Sequence, residues 1–191
     1  MADPRPPETC AVAFKEWAGI CEALAAGRQS LILRKGGIAE GPGGFVPEHP
    51  AFWLYPTRVH EAEQGLRAGP PAPPDDSPAG TVTLRALAVV ASIGFVDRPE
   101  LLPALADLHI WTEETVAKRF HYRKPGLWVL GVRVYRRPEP ARLAVAPEHA
   151  GCKSWVPLDP PVDASGAVPA LDEAESARRL DRLRAALAPT R

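Results

Sequence analysis

Residues 127–136 constrain the fold more than any other part of this chain. The even positions Trp128, Leu130, Val132 and Val134 are all apolar, while Arg133 interrupts the odd ones. Side chains alternate between faces along an extended backbone, so the pattern describes a strand with one fully buried face, central to a sheet. Residues 81–95, rich in Val, Leu, Ile and Thr and bounded by glycines, predict a second buried strand with a bend near Gly94.

Other segments fall around these two. Over residues 10–26, Phe14, Trp17, Ala18, Cys21, Leu24 and Ala25 recur at helical spacing, Lys15 and Glu22 take the other face, and Gly27 follows as a stop. An amphipathic helix is expected there. Residues 29–35 and 51–55 read as strands, and residues 60–66 as a short helical patch. Residues 99–106 predict a short helix, and Thr112 ahead of Glu113 and Glu114 predicts an N-cap for a helix to about His121. Residues 143–145 and 154–158 are candidate short strands. A closing helix over 172–187 carries Ala177, Leu180, Leu183 and Leu187 as its apolar stripe.

The expected class is α+β: a mostly antiparallel sheet, with barrel-like closure allowed, and an N-terminal and a C-terminal helix packed on it. The expected organisation is a disordered stretch over 1–9, one domain over 10–158, and a loop and helix over 159–191 that pack on that domain. The 23 prolines are well above the usual share. They concentrate in turns and in an exposed insertion at about 68–80.

Charge and cysteine usage narrow the function classes. Twenty-three basic and 23 acidic residues cancel, so no global field draws the chain to nucleic acid or to an anionic membrane, and any such site has to be a local patch. Cys10, Cys21 and Cys152 form no disulfide framework and no Cys-x-x-Cys pair, which suits a reducing cytoplasm. The first residues lack the apolar core of a signal peptide, and no apolar run reaches the roughly 18 residues of a membrane span. A cytoplasmic protein without a membrane partner is expected.

Arg34 and Lys35 end a strand, and Gly36 and Gly37 follow. Two cations beside a glycine turn, whose N–H groups can point at one oxyanion, make an anion site; a hairpin turn with solvated charges has the same residues. The turn is no P-loop, because Gly-x-x-x-x-Gly-Lys-Ser/Thr is absent. Glu48, His49, Tyr55 and His60 flank or end the aromatic strand that follows, and histidines there can act as bases or ligands. Lys118, Arg119, His121, Tyr122, Arg123 and Lys124 mix cations with aromatic rings, as a nucleic-acid contact or a solvated helix end would. No Glu-x-Lys nuclease pair, no Gly-x-Ser-x-Gly and no His-Glu-x-x-His occurs. The paired spacing of His149 and Cys152 is by itself too little for zinc, and no metal is assigned.

Phe14-Lys-Glu-Trp-Ala18, the run from Gln29 to Ile38, Phe52-x-Leu-Tyr-Pro-Thr57 with His60 three residues on, and Gly151-Cys-x-Ser-Trp155 occur in an order that resembles the prokaryotic family called domain of unknown function 1802. The resemblance runs from about Ala13 to Leu158. It implies no defined activity or cofactor, and its association with restriction-modification-like systems implies a nucleic-acid context. Where that family has a Tyr-x-His-Gln-like ending, this chain has Arg58-Val-His60 without the glutamine.

The leading expectation is a module for an anionic ligand, nucleic acid or nucleotide. Arg34, Lys35, Gly36 and Gly37 would face phosphate, with His49, Tyr55 and His60 lining the same pocket between two neighbouring strands. One alternative is a hydrolase or phosphodiesterase using His49, His60 and Glu48 or Glu61, with or without a metal held also by His149 and Cys152. A non-catalytic scaffold is the other. The sequence leaves the cofactor and the oligomeric state open.

Overall fold

The computed structural model describes residues 5–35, 45, 47–58, 65–67, 69, 74, 76–151 and 153–188. Its strands are β1 (Thr9–Trp17), β2 (Leu31–Arg34), β3 (Ala51–Thr57), β4 (Thr81–Val96), β5 (Leu127–Ala144), β6 (Trp155–Asp163) and β7 (Val168–Pro169). The α-helices are α1 (Ala18–Ala25), α2 (Glu113–His121) and α3 (Glu173–Leu187), and a 3-10 helix spans Pro99–Leu108. The strands form one sheet in the order β2-β5-β4-β3-β1-β6, with β7 beside β5. Only the β1–β3 pair is parallel among the described strands. The class is α+β, as expected.

Barrel-like closure is not supported. β2 and β6 end the hydrogen-bonded path and do not pair, so the sheet is open. β2 is four residues long, and side chains rather than ladder bonds link it to β1 and to Ser154, the residue just before β6. A second correction follows from the same order: β2 and β3 are not neighbours, since β5 and β4 lie between them.

The expected helix over 10–26 is half strand. Residues up to Trp17 form β1, flanked by β3 and β6, and only Ala18–Ala25 are helical. Phe14 and Glu16 share one face of β1, and Ala13 and Lys15 share the other. Long-range pairing overrides the apolar spacing that also suits a helix.

β4 and β5 form the long antiparallel pair of the sheet, with the 3-10 helix and α2 in the connection between them. Residues 143–145 are not a separate strand: β5 runs on to Ala144, and the register jumps from Ala86↔Arg136 to Leu84↔Ala141. The extra residues hold Pro138 and Pro140, which cannot donate to a ladder and so sit in the bulge. Gly94 itself pairs in register with Val129, and the irregularity nearest it is the register shift between Val90 and Ser92. The missing side chain of Gly94 admits α3, since a Cβ there would lie 2.7 Å from Leu187 Cδ1. Gly131 does the same for Leu183.

Thr112 caps α2 by accepting from the Thr115 N–H, with Glu113 and Glu114 in the first turn. The Thr112→Ala variant is expected to lose about 1 kcal/mol, to be read as a lower urea midpoint; an unchanged midpoint would refute the cap's contribution. Asp172 caps α3 in the same way, and Leu180 and Leu183 are its buried residues with Ser176, while Ala177 is exposed. Of the patch expected at 60–66, residues 60–64 lie outside the described residues, and Leu66 forms a bridge to Trp111. Most of the proline-rich insertion also lies outside them; Asp76 pairs with Arg85 and Ser77 with Thr83. No helix among the described residues is long and apolar enough to cross a membrane.

Candidate functional site

The most unusual polar group is Glu16. Strand alternation turns it to the same face as Phe14, where it is 2% exposed. One carboxylate oxygen accepts from the Trp17 N–H at 2.9 Å. The other, Oε2, is buried without a hydrogen-bond partner and has Arg34 Nη1 at 3.7 Å. A buried carboxylate is costly unless it is paired, so the fold brings cations to it.

Arg34 supplies the first. From the end of β2 its Nε and Nη2 donate to Ser154 Oγ at 3.1 and 2.8 Å, and its guanidinium lies 4.9 Å from the Phe14 ring centre. Arg119 supplies the second from α2. Its guanidinium is 4.3 Å from the Trp17 ring centre and 5.1 Å from that of Trp111, and it donates to the Leu33 carbonyl at 3.4 Å. Burial lowers the Arg119 pKa, the Glu16 carboxylate opposes that shift, and the Arg34 charge adds to it. Arginine still stays protonated in a protein. Arg34 is thus the ion-pair partner of the carboxylate, and Arg119 is a second cation near enough to feel both charges.

An aromatic wall adjoins these charges. Trp155 lies 4.9 Å from Phe14 and 4.8 Å from His49, ring centre to ring centre, and Phe45 and Phe52 complete the group. Arg34 and His49 thus stand at two ends of one aromatic cluster. Tyr55 does not join them. It lies on the opposite face of the sheet, 5.8 Å from the His149 ring, with Lys15 Nζ 5.9 Å from its ring centre. Burial raises the Tyr55 pKa.

Lys35 is committed elsewhere. Its Nζ donates to the carbonyls of Phe120, Lys124 and Gly126, so its charge fastens the loop after α2, and burial lowers its pKa. Glu48 is exposed. His149 is buried, and its Nδ1 accepts from the Ala146 N–H at 3.3 Å. Gly36, Gly37, His60, Glu61 and Cys152 lie outside the described residues. Among the described residues no group of three or more His, Cys, Asp or Glu could hold a metal.

A separate cleft of about 160 Å³ opens between α1, β3 and β4, and Tyr55, Cys21, Thr83, Arg58 and Arg85 are among its walls. It does not include Glu16, Arg34 or Arg119.

Sequence reasoning passed over Glu16 because the helical reading of residues 10–26 gave it no face to occupy. Arg119 was visible only as part of a basic run. Ser154 carried no signal outside the Gly151-Cys-x-Ser-Trp155 block.

A family model described as domain of unknown function, DUF1802, matches residues 13–182. The chain belongs to the DUF1802 family. The match extends past the blocks that carry the sequence resemblance and takes in most of α3, so the helix packed on Gly131 is inside the family's unit. Among solved structures, this DUF1802 chain is similar to the ASCH protein of Zymomonas mobilis, with 13% identity over 90% of this chain and 94% of that one, at a TM-score of 0.47. A tyrosine-to-phenylalanine variant of that protein gives 12% identity over 90% and 96% at 0.49. A serine-to-alanine variant gives 12% over 93% and 99% at 0.47. No curated protein matches the chain.

Proposed function

We propose that this DUF1802 protein binds an anionic ligand of the nucleotide or nucleic-acid class at the cluster of Glu16, Arg34, Arg119 and Ser154. The observation that carries this reading is the unequal charge of the cluster: Arg34 pairs with the buried Glu16 carboxylate at 3.7 Å, and the Arg119 guanidinium, held on Trp17 and Trp111, is a second cation beside that pair. One further negative charge balances it, and guanidinium geometry suits the oxygens of a phosphate. The site's charge is local, in keeping with a chain of zero net charge.

The histidines do not favour the hydrolase reading. His49 packs on Trp155 and His149 on Tyr55, and these two rings therefore lie against aromatic groups on opposite faces.

Binding is tested by fluorescence anisotropy with labelled RNA, single-stranded DNA, duplex DNA and a nucleoside triphosphate across a salt series. The wild type is expected to bind at least one of them with a salt-dependent affinity. Arg119→Gln is expected to weaken it about tenfold and, for a single strand, to flatten the log–log salt slope by about 0.7, the share of one phosphate contact. Arg119→Lys, which keeps the charge, is expected to retain most of that slope, and a thermal melt of each variant separates lost binding from lost fold. If the folded wild type binds none of the four, the reading is wrong.

A further inference from the structure

Arg34, Trp128 and Phe95 form a row across three adjacent strands. Arg34 pairs in register with Trp128 across β2 and β5, and Trp128 pairs with Phe95 across β5 and β4, so all three point to one face. The next row is Ile32, Leu130 and Ile93. Ile32 and Leu130 are fully buried, whereas Ile93 and Phe95 are each 50% exposed. Large apolar side chains placed together in water mark a surface that something covers.

The surroundings say what kind of partner fits. The Phe95 ring stands 5.2 Å from the Trp128 ring at 65°, edge to face rather than stacked, and half of it is exposed. It is seated against Gly126, where φ is 126° and a Cβ would come within 2.4 Å of the ring. The Gly126 carbonyl is one of those held by Lys35. That anchor fixes the loop of Tyr122, Arg123 and Lys124 beside the platform. Tyr122 is 51% exposed, with the Arg123 guanidinium 5.1 Å from its ring centre, and Arg123 holds a left-handed φ of 62°. Cations thus stand beside the aromatic row: Arg34 in it at the β2 strand, and Arg123 and Lys124 in the loop that Lys35 holds against Phe95 through Gly126.

We infer that Phe95 and Trp128 are a stacking platform for the bases of single-stranded nucleic acid. Its phosphates run between the Arg34–Arg119 cluster and the Arg123–Lys124 loop. This rests on the anion-binding reading above and narrows it to one ligand class. Two inter-strand spacings make the row about 10 Å long, and its two rings take one or two bases, each laid flat on a ring. A duplex cannot use it, because its base faces are already covered by their neighbours. Any base can, since each has a π-face, and binding is therefore tolerant of sequence.

The test compares a labelled oligothymidine, an abasic strand of the same length and a duplex, against wild type, Phe95→Ala and Phe95→Leu. Phe95 is half exposed, so both variants should fold, with a melting temperature lowered by only about 2–4 °C. Wild type is expected to bind oligothymidine at least about tenfold more tightly than the abasic strand or the duplex. Both variants are expected to lose about five- to a hundredfold on oligothymidine, the leucine included because it keeps apolar area but no ring. Equal binding of abasic strand and oligothymidine, or wild-type binding by Phe95→Leu, would overturn the platform while leaving the anion reading intact. Failure of every strand to bind removes the platform, and it removes the anion reading as well only if the nucleoside triphosphate also fails to bind. A wild-type dimer in sedimentation that Phe95→Ala converts to monomer would also overturn it, by showing that the patch meets a second copy of the chain.

Discussion

Replacing Arg34 by alanine is expected to destabilise the protein by about 3 kcal/mol, the cost of leaving a buried charge without its partner. Glu16 is the reason. Its Oε2 has no hydrogen bond, and the Arg34 guanidinium at 3.7 Å is its ion-pair partner. Ser154 Oγ loses both of its arginine donors in the same variant. Arg119 remains nearby but is clamped between Trp17 and Trp111, so it cannot swing across to replace the missing group. Urea unfolding at neutral pH measures the loss. In a Glu16→Gln background the Arg34→Ala change is expected to cost only about 1 kcal/mol, because a neutral amide is cheaper to leave unpaired than a carboxylate. The difference between the two backgrounds is the coupling of the pair. A single-variant cost below about 1 kcal/mol would show that water, not Arg34, solvates Glu16.

Acid is expected to weaken the fold through His109. The residue is 3% exposed, and its Nδ1 is buried without a hydrogen-bond partner. Arg67 donates to its backbone carbonyl. Burial, with the nearby charges of Arg67 and Arg119, lowers its pKa from 6.5 to about 4. The unfolded chain therefore takes up this proton at a higher pH than the folded one. The sign follows: His109 imposes no penalty above about pH 6.5, and stability falls as the pH drops from there toward 4. Over that window the loss is about 3 kcal/mol. The carboxylates with lowered pKa values, Asp76, Glu114, Asp163 and Glu175, add their own losses lower on the scale. Urea midpoints from pH 7 to 4 should fall steeply in the wild type and stay much flatter in His109→Gln. Parallel curves for the two proteins would place the acid sensitivity elsewhere.

What could be read from the sequence was local or periodic. The Thr112 cap sits next to the turn it stabilises, and α3 shows its apolar stripe and its charged face within fifteen residues. The alternation in β5 records burial directly. The N-terminal segment was ambiguous because Phe14, Trp17, Cys21 and Leu24 satisfy a helical stripe whether or not the backbone is helical there. What decides it is pairing with β3 and β6, which leaves no mark within residues 10–26. The site is hidden for the same reason. Arg34 was conspicuous, but its link to Ser154 spans 120 residues of sequence. Lys35 looked equivalent to Arg34 until the carbonyls after α2 came into reach of it. Adjacent strand residues point to opposite faces, so two neighbouring cations have different fates: one meets a carboxylate, the other a loop.

The position of β1 carries a consequence for how the molecule is made. The strand lies between β3 and β6, and β6 comprises Trp155–Asp163. Synthesis begins at the N-terminus, so the ribosome must add most of the chain before Thr9–Trp17 has both neighbours. Until then one flank of β1 is an open edge, available to any passing strand, and Ser154 has not arrived to meet Arg34. A nascent chain stalled before that point would therefore expose a sticky strand and half a site, and the exposure ends only once Trp155–Asp163 have been added.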